Sequence, residues 1–316
     1  MDILLVGEFD AAELHAWRES LQGALPEARW LERDAALAAA DTLQVAVVAN
    51  PPPGSLQGLP RLRLIQSLWA GVERLLQDPT LPRGVPIARM VDPAMNAAMA
   101  ETALWAVLSL HRRHFDYARA QHERRWAPLP QRRAEQVHVL VLGLGQMGAN
   151  AARRIARQGY RVAGWSLRPR ADAAALAGID CRHGDAALPG LLARSDIVIN
   201  LLPLTPATRG LLGARLFAAL PRGAAVVNLA RGAHVVDAEL LAALDAGQLG
   251  HAVLDVFQQE PLPAHHPYWQ HPRVTLLPHV AAQTDAASAS QVVAANVRAL
   301  YAGRPLAHLV DRASGY

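Results

Sequence analysis

A glycine-rich loop stands between an apolar strand and a helix in the middle of this chain, and few folds accommodate it. The segment VHVLVLGLGQMGANAARRIARQG has an apolar run at residues 137–142, then G-x-G-x-x-G, then a helical pattern. In that context the glycines allow a tight turn, close approach of a pyrophosphate and tight helix–strand packing. The pattern predicts a dinucleotide-binding βαβ unit with the contacts Gly143, Leu144, Gly145, Gln146, Met147 and Gly148.

The next strand, RVAGW, indicates which dinucleotide is bound. Chains that prefer the unphosphorylated form usually place Asp or Glu about 20 residues beyond the loop, on the ribose hydroxyl. This chain has WSLRPR there instead, with a hydroxyl and two guanidinium groups that suit a 2′-phosphate. We therefore predict NADP(H) as the preferred cofactor, with NAD(H) as a weaker alternative, and the contacts Ser166, Leu167, Arg168 and Arg170.

Strands and helices alternate along the whole chain, which predicts an α/β protein. The first ~95 residues form such a unit without a glycine-rich phosphate loop, and a long helix from Met95 to about Gln121 leads onward. Its predicted buried stripe comprises Leu104, Val107, Leu108 and Leu110. A final helix at residues 284–300 should return to the first domain. We predict two Rossmann-like domains, each a doubly wound parallel sheet, flanking an interdomain cleft: a discontinuous substrate domain (1–98 and 284–316) and an NADP-binding domain (99–283).

Three polar residues each follow the carboxyl end of an apolar strand. Arg231 follows AAVVNLA, Glu260 lies in a proline-punctuated loop after HAVLDVF, and His279 directly follows VTLLP. The carboxyl ends of parallel strands line one edge of a sheet, where ligands bind. The sequence therefore predicts that the three side chains meet at one site.

The residue types indicate the chemistry of that site. An arginine fork grips a carboxylate through two hydrogen bonds, and an imidazole exchanges protons near neutral pH. A glutamate bonded to the imidazole orients the ring and favours its cation. Together Arg231, Glu260 and His279 suit a carboxylate beside a carbonyl, as in a 2-keto acid.

Composition excludes several other functions. All 31 basic residues are arginine, which excludes a Schiff-base lysine and a Walker lysine. The net charge of +4 comes from dispersed arginines, so no nucleic-acid partner is expected. No apolar run reaches the ~18 residues of a membrane span, and MDILLVGEFDAAE lacks a basic signal-peptide region.

Cysteine and histidine usage bears on location and metals. A single cysteine, Cys181, allows no internal disulfide, so we expect a reducing, cytoplasmic location. His265, His266 and His271 lie in a proline-rich loop and are predicted to be surface residues. No metal site is predicted.

The segments NLARG, LDVFQQEPLP and LLPHVAA resemble the D-isomer-specific 2-hydroxyacid dehydrogenase family. LDVFQQEPLP, PYWQHPRV and the closing VDRASGY are most similar to its bacterial glyoxylate/hydroxypyruvate reductase A branch. The resemblance implies reduction of small 2-keto acids, glyoxylate and hydroxypyruvate among them, by a homodimer. It assigns Arg231 to the substrate carboxylate, His279 to proton donation and Glu260 to the support of His279.

The resemblance also assigns contacts beyond these residues. The AGVE turn would present the amides of Ala70, Gly71 and Val72 to the substrate carboxylate, although a plain helix-start turn explains it equally well. LLPLTPAT would pass beside the nicotinamide, although a helix cap at Thr205 is the alternative. The further predicted cofactor contacts are Leu202, Pro203, Thr208, Leu229, Ala230, Asp255, His279 and Ala281.

Two alternative functions stay open. Some relatives of this fold act as cofactor-sensing corepressors, which would need a partner surface or disordered extensions that this sequence lacks. A dehydrogenase for another D-2-hydroxy acid would retain the same residues. Turnover of a panel of 2-keto acids discriminates among these functions.

Overall fold

The computed structural model describes residues 1–169, 176–312 and 315. The chain divides into two compact units, Met1–Met95 with Thr284–Tyr316, and Asn96–Gln283. Each unit contains one parallel sheet with apolar cores on both faces, so the predicted α/β class with two doubly wound sheets is confirmed. Their assignment as substrate and cofactor-binding domains stays a prediction. None of the described helices has the length and apolar character needed to cross a bilayer.

The first unit has a five-stranded sheet in the order β2-β1-β3-β4-β5. Its strands are β1 (Asp2–Gly7), β2 (Arg29–Leu31), β3 (Val45–Ala49), β4 (Leu64–Ser67) and β5 (Ile87–Ala88). Its helices are α1 (Ala11–Ala24), α2 (Arg33–Ala38), α3 (Glu73–Leu76) and α10 (Ala286–Tyr301). Successive strand residues serve opposite cores, because side chains alternate along a strand. Ile3 and Leu5 pack with α1 and α10, whereas Leu4 packs in the core on the opposite face.

The second unit has a seven-stranded parallel sheet in the order β12-β11-β10-β9-β6-β7-β8. Its strands are β6 (His138–Leu142), β7 (Arg161–Ser166), β8 (Asp180–His183), β9 (Ile197–Asn200), β10 (Ala224–Asn228), β11 (Leu249–Leu254) and β12 (Val274–Leu276). Its helices are α5 (His114–His122), α6 (Gln146–Ala156), α7 (Leu188–Leu192), α8 (Ala214–Ala218) and α9 (Asp237–Asp245), with α4 (Pro93–His111) entering from the first unit. The strand order reverses between β6 and β9, and the crevice at such a switch point is where open α/β sheets bind ligands.

The long helix predicted from Met95 to about Gln121 is wrong as a single element. It ends at His111, and a second helix begins at His114, because Arg113 adopts a left-handed conformation with φ 62°. The predicted buried stripe is also partly wrong, since Leu108 is 40% exposed. The fully buried positions are Ala103, Ala106 and Val107. Leu104 and Leu110 pack against the same core but are only partly buried, so small side chains and one valine occupy its fully buried positions.

Candidate active site

The glycine loop (residues 143–148) joins β6 to α6, as predicted. Gly143 has φ 93°, and a Cβ there would lie 2.6 Å from the Leu201 carbonyl oxygen. A Cβ at Gly148 would overlap the Gly143 carbonyl oxygen. Gly145 is different, since no atom lies within 4 Å of its added Cβ. Two glycines are thus needed for the turn itself, and the third keeps the start of α6 accessible to a ligand.

The 201–208 segment follows β9 beside the glycine loop. The Thr208 side chain is buried, and its hydroxyl donates to the Pro203 carbonyl at 2.7 Å and accepts from the Thr205 amide at 2.9 Å. Leu202 is also buried. Thr208 therefore shapes this loop from within, which agrees with the alternative of a local turn. That Leu202, Pro203 and Thr208 contact a nicotinamide stays a prediction.

The residues predicted to recognise a 2′-phosphate lie at the end of β7. The Ser166 hydroxyl donates to the Arg168 carbonyl at 2.8 Å, and the Leu167 and Arg168 side chains are exposed. A hydroxyl has one proton, so donation from Ser166 to a phosphate would replace this bond. Arg168 is accessible as it stands. Arg170 lies outside the described residues.

Glu260 and His279 form a direct pair at the carboxyl edge of the sheet. His279 Nδ1 lies 2.6 Å from Glu260 Oε2, and the other carboxylate oxygen accepts from the Phe257 amide at 2.8 Å. Each oxygen of the Glu260 carboxylate therefore has a hydrogen-bond partner, which fixes the orientation of the side chain. Since Nδ1 is engaged, Nε2 is the ring nitrogen left for a substrate, and the His279 side chain is 54% exposed.

The charges of the pair stabilise each other. The hydrogen bond to Glu260 raises the pKa of His279 above its usual value, against the opposing effect of burial. Burial alone would raise the pKa of Glu260, but hydrogen bonds from His279 and the Phe257 amide outweigh it and lower this pKa. The charge of Arg231 lowers both pKa values, so the third predicted residue lies within electrostatic reach.

Arg231 follows β10 on a turn that packs tightly against the Glu260 loop. Its backbone is extended, and its guanidinium donates to the Ala230 carbonyl at 2.7 Å. A Cβ at Gly232 would overlap the Phe257 backbone carbonyl. The chain therefore brings the Arg231 turn and the Glu260 loop into direct contact, which local sequence patterns do not show.

Asp255 holds the backbone on which His279 stands. His279 has a left-handed backbone with φ 55°, an uncommon conformation for a residue other than glycine. Its amide donates to the Asp255 carbonyl at 2.9 Å, and the buried Asp255 carboxylate accepts from Val280 at 2.7 Å and Ala281 at 3.1 Å. Burial raises the pKa of Asp255, and these amides partly oppose the shift. That Asp255 contacts the cofactor stays a prediction. The sequence did not indicate that Asp255 supports the backbone of His279.

The remaining predicted cofactor contacts line the same edge. Leu229 and Ala230 directly follow β10, and Ala281 follows His279 by two residues; all three are buried. Within the described residues no group of three or more His, Cys, Asp or Glu side chains could hold a metal ion. His266 and His271 are partly buried rather than surface residues, and they lie 3.8 Å and 3.3 Å from the carboxylates of Asp237 and Asp245.

In the first unit, the 70–72 turn joins β4 to α3. The Trp69 carbonyl just before it accepts from the Met90 amide at 3.0 Å and from the Ser67 hydroxyl at 3.1 Å. Within the described part of the chain, the amides of Ala70, Gly71 and Val72 make no hydrogen bonds. Unpaired amides on a turn suit an anion. Their contact with a substrate carboxylate stays a prediction.

A family model described as D-isomer specific 2-hydroxyacid dehydrogenase, NAD binding domain, matches residues 104–281, a range that contains the glycine loop and Arg231, Glu260 and His279. The chain is also 38% identical over 312 residues to a glyoxylate/hydroxypyruvate reductase A of Yersinia enterocolitica, covering 96% of this chain and 97% of the relative.

The chain belongs to the D-isomer-specific 2-hydroxyacid dehydrogenase family.

Solved structures that cover the whole chain include two with a bound nicotinamide dinucleotide. A D-isomer-specific 2-hydroxyacid dehydrogenase from Xanthobacter autotrophicus Py2, in complex with NADPH and MES, superposes with a TM-score of 0.92 at 40% identity, covering 100% of this chain and 99% of that chain. An NADPH-dependent glyoxylate/hydroxypyruvate reductase from Sinorhizobium meliloti, in complex with NADP and sulfate, superposes with a TM-score of 0.90 at 34% identity and the same coverage. The resemblance inferred from NLARG, LDVFQQEPLP and LLPHVAA is therefore confirmed.

Proposed function

We propose that this dehydrogenase uses NADPH to reduce small 2-keto acids, glyoxylate to glycolate and hydroxypyruvate to glycerate. The observation that carries the proposal is the His279–Glu260 pair within electrostatic reach of Arg231, in a unit with a dinucleotide loop. The names of the relatives from Yersinia enterocolitica and Sinorhizobium meliloti support this substrate class.

The residues present fit an NADP(H) molecule. The space open at Gly145 lies at the start of α6, where backbone amides suit a pyrophosphate. The exposed Arg168 guanidinium at the end of β7 suits a 2′-phosphate. Bound NADPH supplies a hydride, and both related structures described above contain NADPH or NADP.

Arg231, His279 and Glu260 each have a separate role in the reaction. The Arg231 fork binds the substrate carboxylate and orients the adjacent carbonyl. His279 Nε2 donates its proton to the carbonyl oxygen as the carbonyl carbon gains a hydride, so the C=O double bond becomes a C–O single bond and new C–H and O–H bonds form. Glu260 keeps the ring oriented and favours the protonated imidazole that this step consumes.

The test of the proposed function is NADPH consumption with a panel of 2-keto acids that includes glyoxylate, hydroxypyruvate and pyruvate. We expect turnover of the first two substrates, slower turnover with NADH, and no turnover when the 2-keto group is absent. A protein that binds NADPH but reduces none of these acids would contradict the proposal and favour the cofactor-sensing regulator.

Cofactor preference gives a sharper prediction. Arg168→Ala should raise the KM for NADPH about ten- to hundredfold, because one charge-assisted phosphate contact contributes roughly 1.5–3 kcal/mol. The KM for NADH should change little, which serves as the internal control. An unchanged ratio of the two KM values would mean that Ser166 or Arg170, rather than Arg168, contacts the 2′-phosphate.

We further propose that the enzyme is a cytoplasmic homodimer. Exposed apolar side chains support a self-association surface on α4 and after α5: Trp105 is 39%, Leu108 40% and Trp126 96% exposed. Light scattering of the wild type and of Trp126→Ser tests the dimer. A wild-type monomer would contradict it.

A further inference from the structure

Two fully buried asparagines link the ends of two central strands. Asn200 and Asn228 end β9 and β10 and are register partners, and Asn200 Nδ2 donates to Asn228 Oδ1 at 2.9 Å. Asn200 Oδ1 accepts from the Leu202 amide at 3.2 Å, and Asn228 Nδ2 donates to the Arg231 carbonyl at 2.9 Å. These side chains therefore bind the first residues of both loops that leave the carboxyl edge.

His234 connects the same two loops a few residues further along. It ends the short helical turn Gly232–His234 and is fully buried. Its Nδ1 lies 3.1 Å from the Arg231 carbonyl oxygen, and its Nε2 lies 3.3 Å from the Pro203 carbonyl oxygen. Pro203 also accepts from the Thr208 hydroxyl. One imidazole thus spans the Arg231 turn and the 201–208 segment.

Such a bridge is informative because burying a polar ring is costly unless it is hydrogen-bonded. An apolar side chain of similar size could fill this position without polar partners, yet the chain has an imidazole between two carbonyl groups. Both carbonyls belong to loops whose proposed ligands differ: the substrate carboxylate on one side and the nicotinamide on the other.

We propose that His234, supported by Asn228 and Asn200, is a positioning residue that sets the Arg231 turn against the 201–208 segment. This inference rests on the proposed function, because the two loops acquire their roles there. His234 acts through backbone carbonyls, so its loss should displace Arg231 or Pro203 without removing a group that touches the substrate.

Two substitutions separate the two contacts. An asparagine amide can reproduce the Nδ1 position, whereas a glutamine amide can reproduce the Nε2 position. His234→Gln, which keeps a polar group toward the Pro203 carbonyl and loses the ring contact with the Arg231 carbonyl, should raise the KM for glyoxylate about two- to tenfold, as expected for one hydrogen bond, with NADPH affinity near wild type. His234→Asn, which keeps a polar group toward the Arg231 carbonyl and loses the contact with the Pro203 carbonyl, should weaken NADPH binding by a similar factor and spare the KM for glyoxylate.

Ser195→Ala is the matched control. Ser195 is buried just before β9, at the opposite end of the same sheet, and its hydroxyl donates to the Leu191 carbonyl at 2.7 Å. Its loss also removes one buried hydrogen bond. We expect a lower Tm but unchanged KM and NADPH affinity, so the control measures the effect of general destabilisation.

The experiment combines glyoxylate kinetics, NADPH fluorescence titration and thermal unfolding on the full chain. Opposite selectivity of the two His234 variants supports the positioning role. Equal effects on both constants, or behaviour like Ser195→Ala, would overturn it. The Arg231 carbonyl also accepts from the His234 amide at 3.2 Å and from the Asn228 side chain at 2.9 Å. If either His234 variant fails to fold, Asn228→Ala removes this second side-chain contact and should act like His234→Gln; wild-type constants there would also overturn the proposal.

Failure of the proposed function is distinguishable from failure of this inference. If the wild type binds NADPH but reduces no keto acid, the substrate assignment is wrong. The NADPH titration still tests the positioning role of His234 in that case, because His234→Asn should weaken NADPH binding and His234→Gln should not.

Discussion

His279 follows the edge strand β12, and His251 lies within the neighbouring strand β11, yet their surroundings shift the imidazole pKa in opposite directions. His279 has a carboxylate oxygen 2.6 Å from Nδ1, which raises its pKa. His251 stacks on Phe115 with ring centroids 4.3 Å apart and contacts the Thr275 hydroxyl at 2.9 Å. Burial lowers the pKa of His251 to about 4.

The difference shows how a neighbouring carboxylate changes the pKa of a partly buried imidazole. Desolvation disfavours the cation at both positions. At His279 the hydrogen bond to Glu260 outweighs it, so the ring can hold the proton that reduction consumes. At His251 the charge of Asp116 raises the pKa but does not outweigh burial, and the neutral ring stacks on Phe115. We infer that one imidazole serves catalysis and the other serves stability.

The largest expected effect comes from removing the imidazole that we propose as the proton donor. His279→Ala should lower kcat about 10²–10⁴-fold, the usual contribution of a general acid. His251→Phe is the matched control, since it removes an imidazole from the adjacent strand and should leave kcat unchanged. Steady-state NADPH oxidation with glyoxylate measures both. Comparable losses in the two variants would abolish the functional distinction between the rings.

The second prediction concerns stability at low pH. His251 has a pKa of about 4 in the folded chain and 6.5 as the reference, so the unfolded state binds the extra proton between these values. Its neutral state therefore stabilises the fold fully above pH 6.5, and this contribution is lost as the pH falls toward 4. The loss should reach about 3 kcal/mol in the free energy of unfolding.

Urea unfolding of the wild type and His251→Phe between about pH 7 and pH 4.5 tests this assignment. The variant should lose less stability than the wild type over that range. Parallel pH dependence in both proteins would mean that other groups account for acid destabilisation. The charged neighbours that influence His251 are Asp116, Arg119, His271 and Arg273.

Arg231→Lys sharpens the comparison because it retains a positive charge within electrostatic reach of His279. A point charge cannot reproduce a bidentate grip, so kcat/KM for glyoxylate should fall roughly ten- to hundredfold. The alkaline limb of the pH profile should move little, since the electrostatic effect on His279 persists. Near-wild-type turnover would mean that Arg231 does not bind the substrate carboxylate.

Glu260→Gln should produce the smallest but most specific change. In the proposed reaction, reduction needs protonated His279, so we expect activity to fall as the pH rises through its raised pKa. Removing the carboxylate lowers that pKa, and the alkaline limb should move to lower pH, with the KM for glyoxylate less affected than kcat. A pH–rate series on both proteins measures it, and an alkaline limb that stays in place would contradict the coupled pair.

The double variant provides a further check on that pair. Glu260 has little to orient once the ring is absent, so Glu260→Gln should add little to the loss in His279→Ala. If the two losses multiply, the residues act independently.

The sequence by itself determined the α/β class, the glycine loop and the positions of the polar residues at strand ends. These features depend on short-range periodicity and on the rule that parallel strands share a carboxyl edge. For that reason Glu260 and His279, 19 residues apart, could be placed together before their contact was seen.

Only the tertiary structure decided which atoms meet. Periodicity shows that a position is apolar but not what covers it, so neither the break at Arg113 nor the exposure of Leu108 was predicted. The bridge from His234 to Pro203 joins residues 31 positions apart. His251, whose pKa is lowered by burial, likewise stacks on Phe115 from a helix that is distant in sequence. Burial and hydrogen bonding are properties of neighbours in space, and the packed chain alone brings those neighbours together.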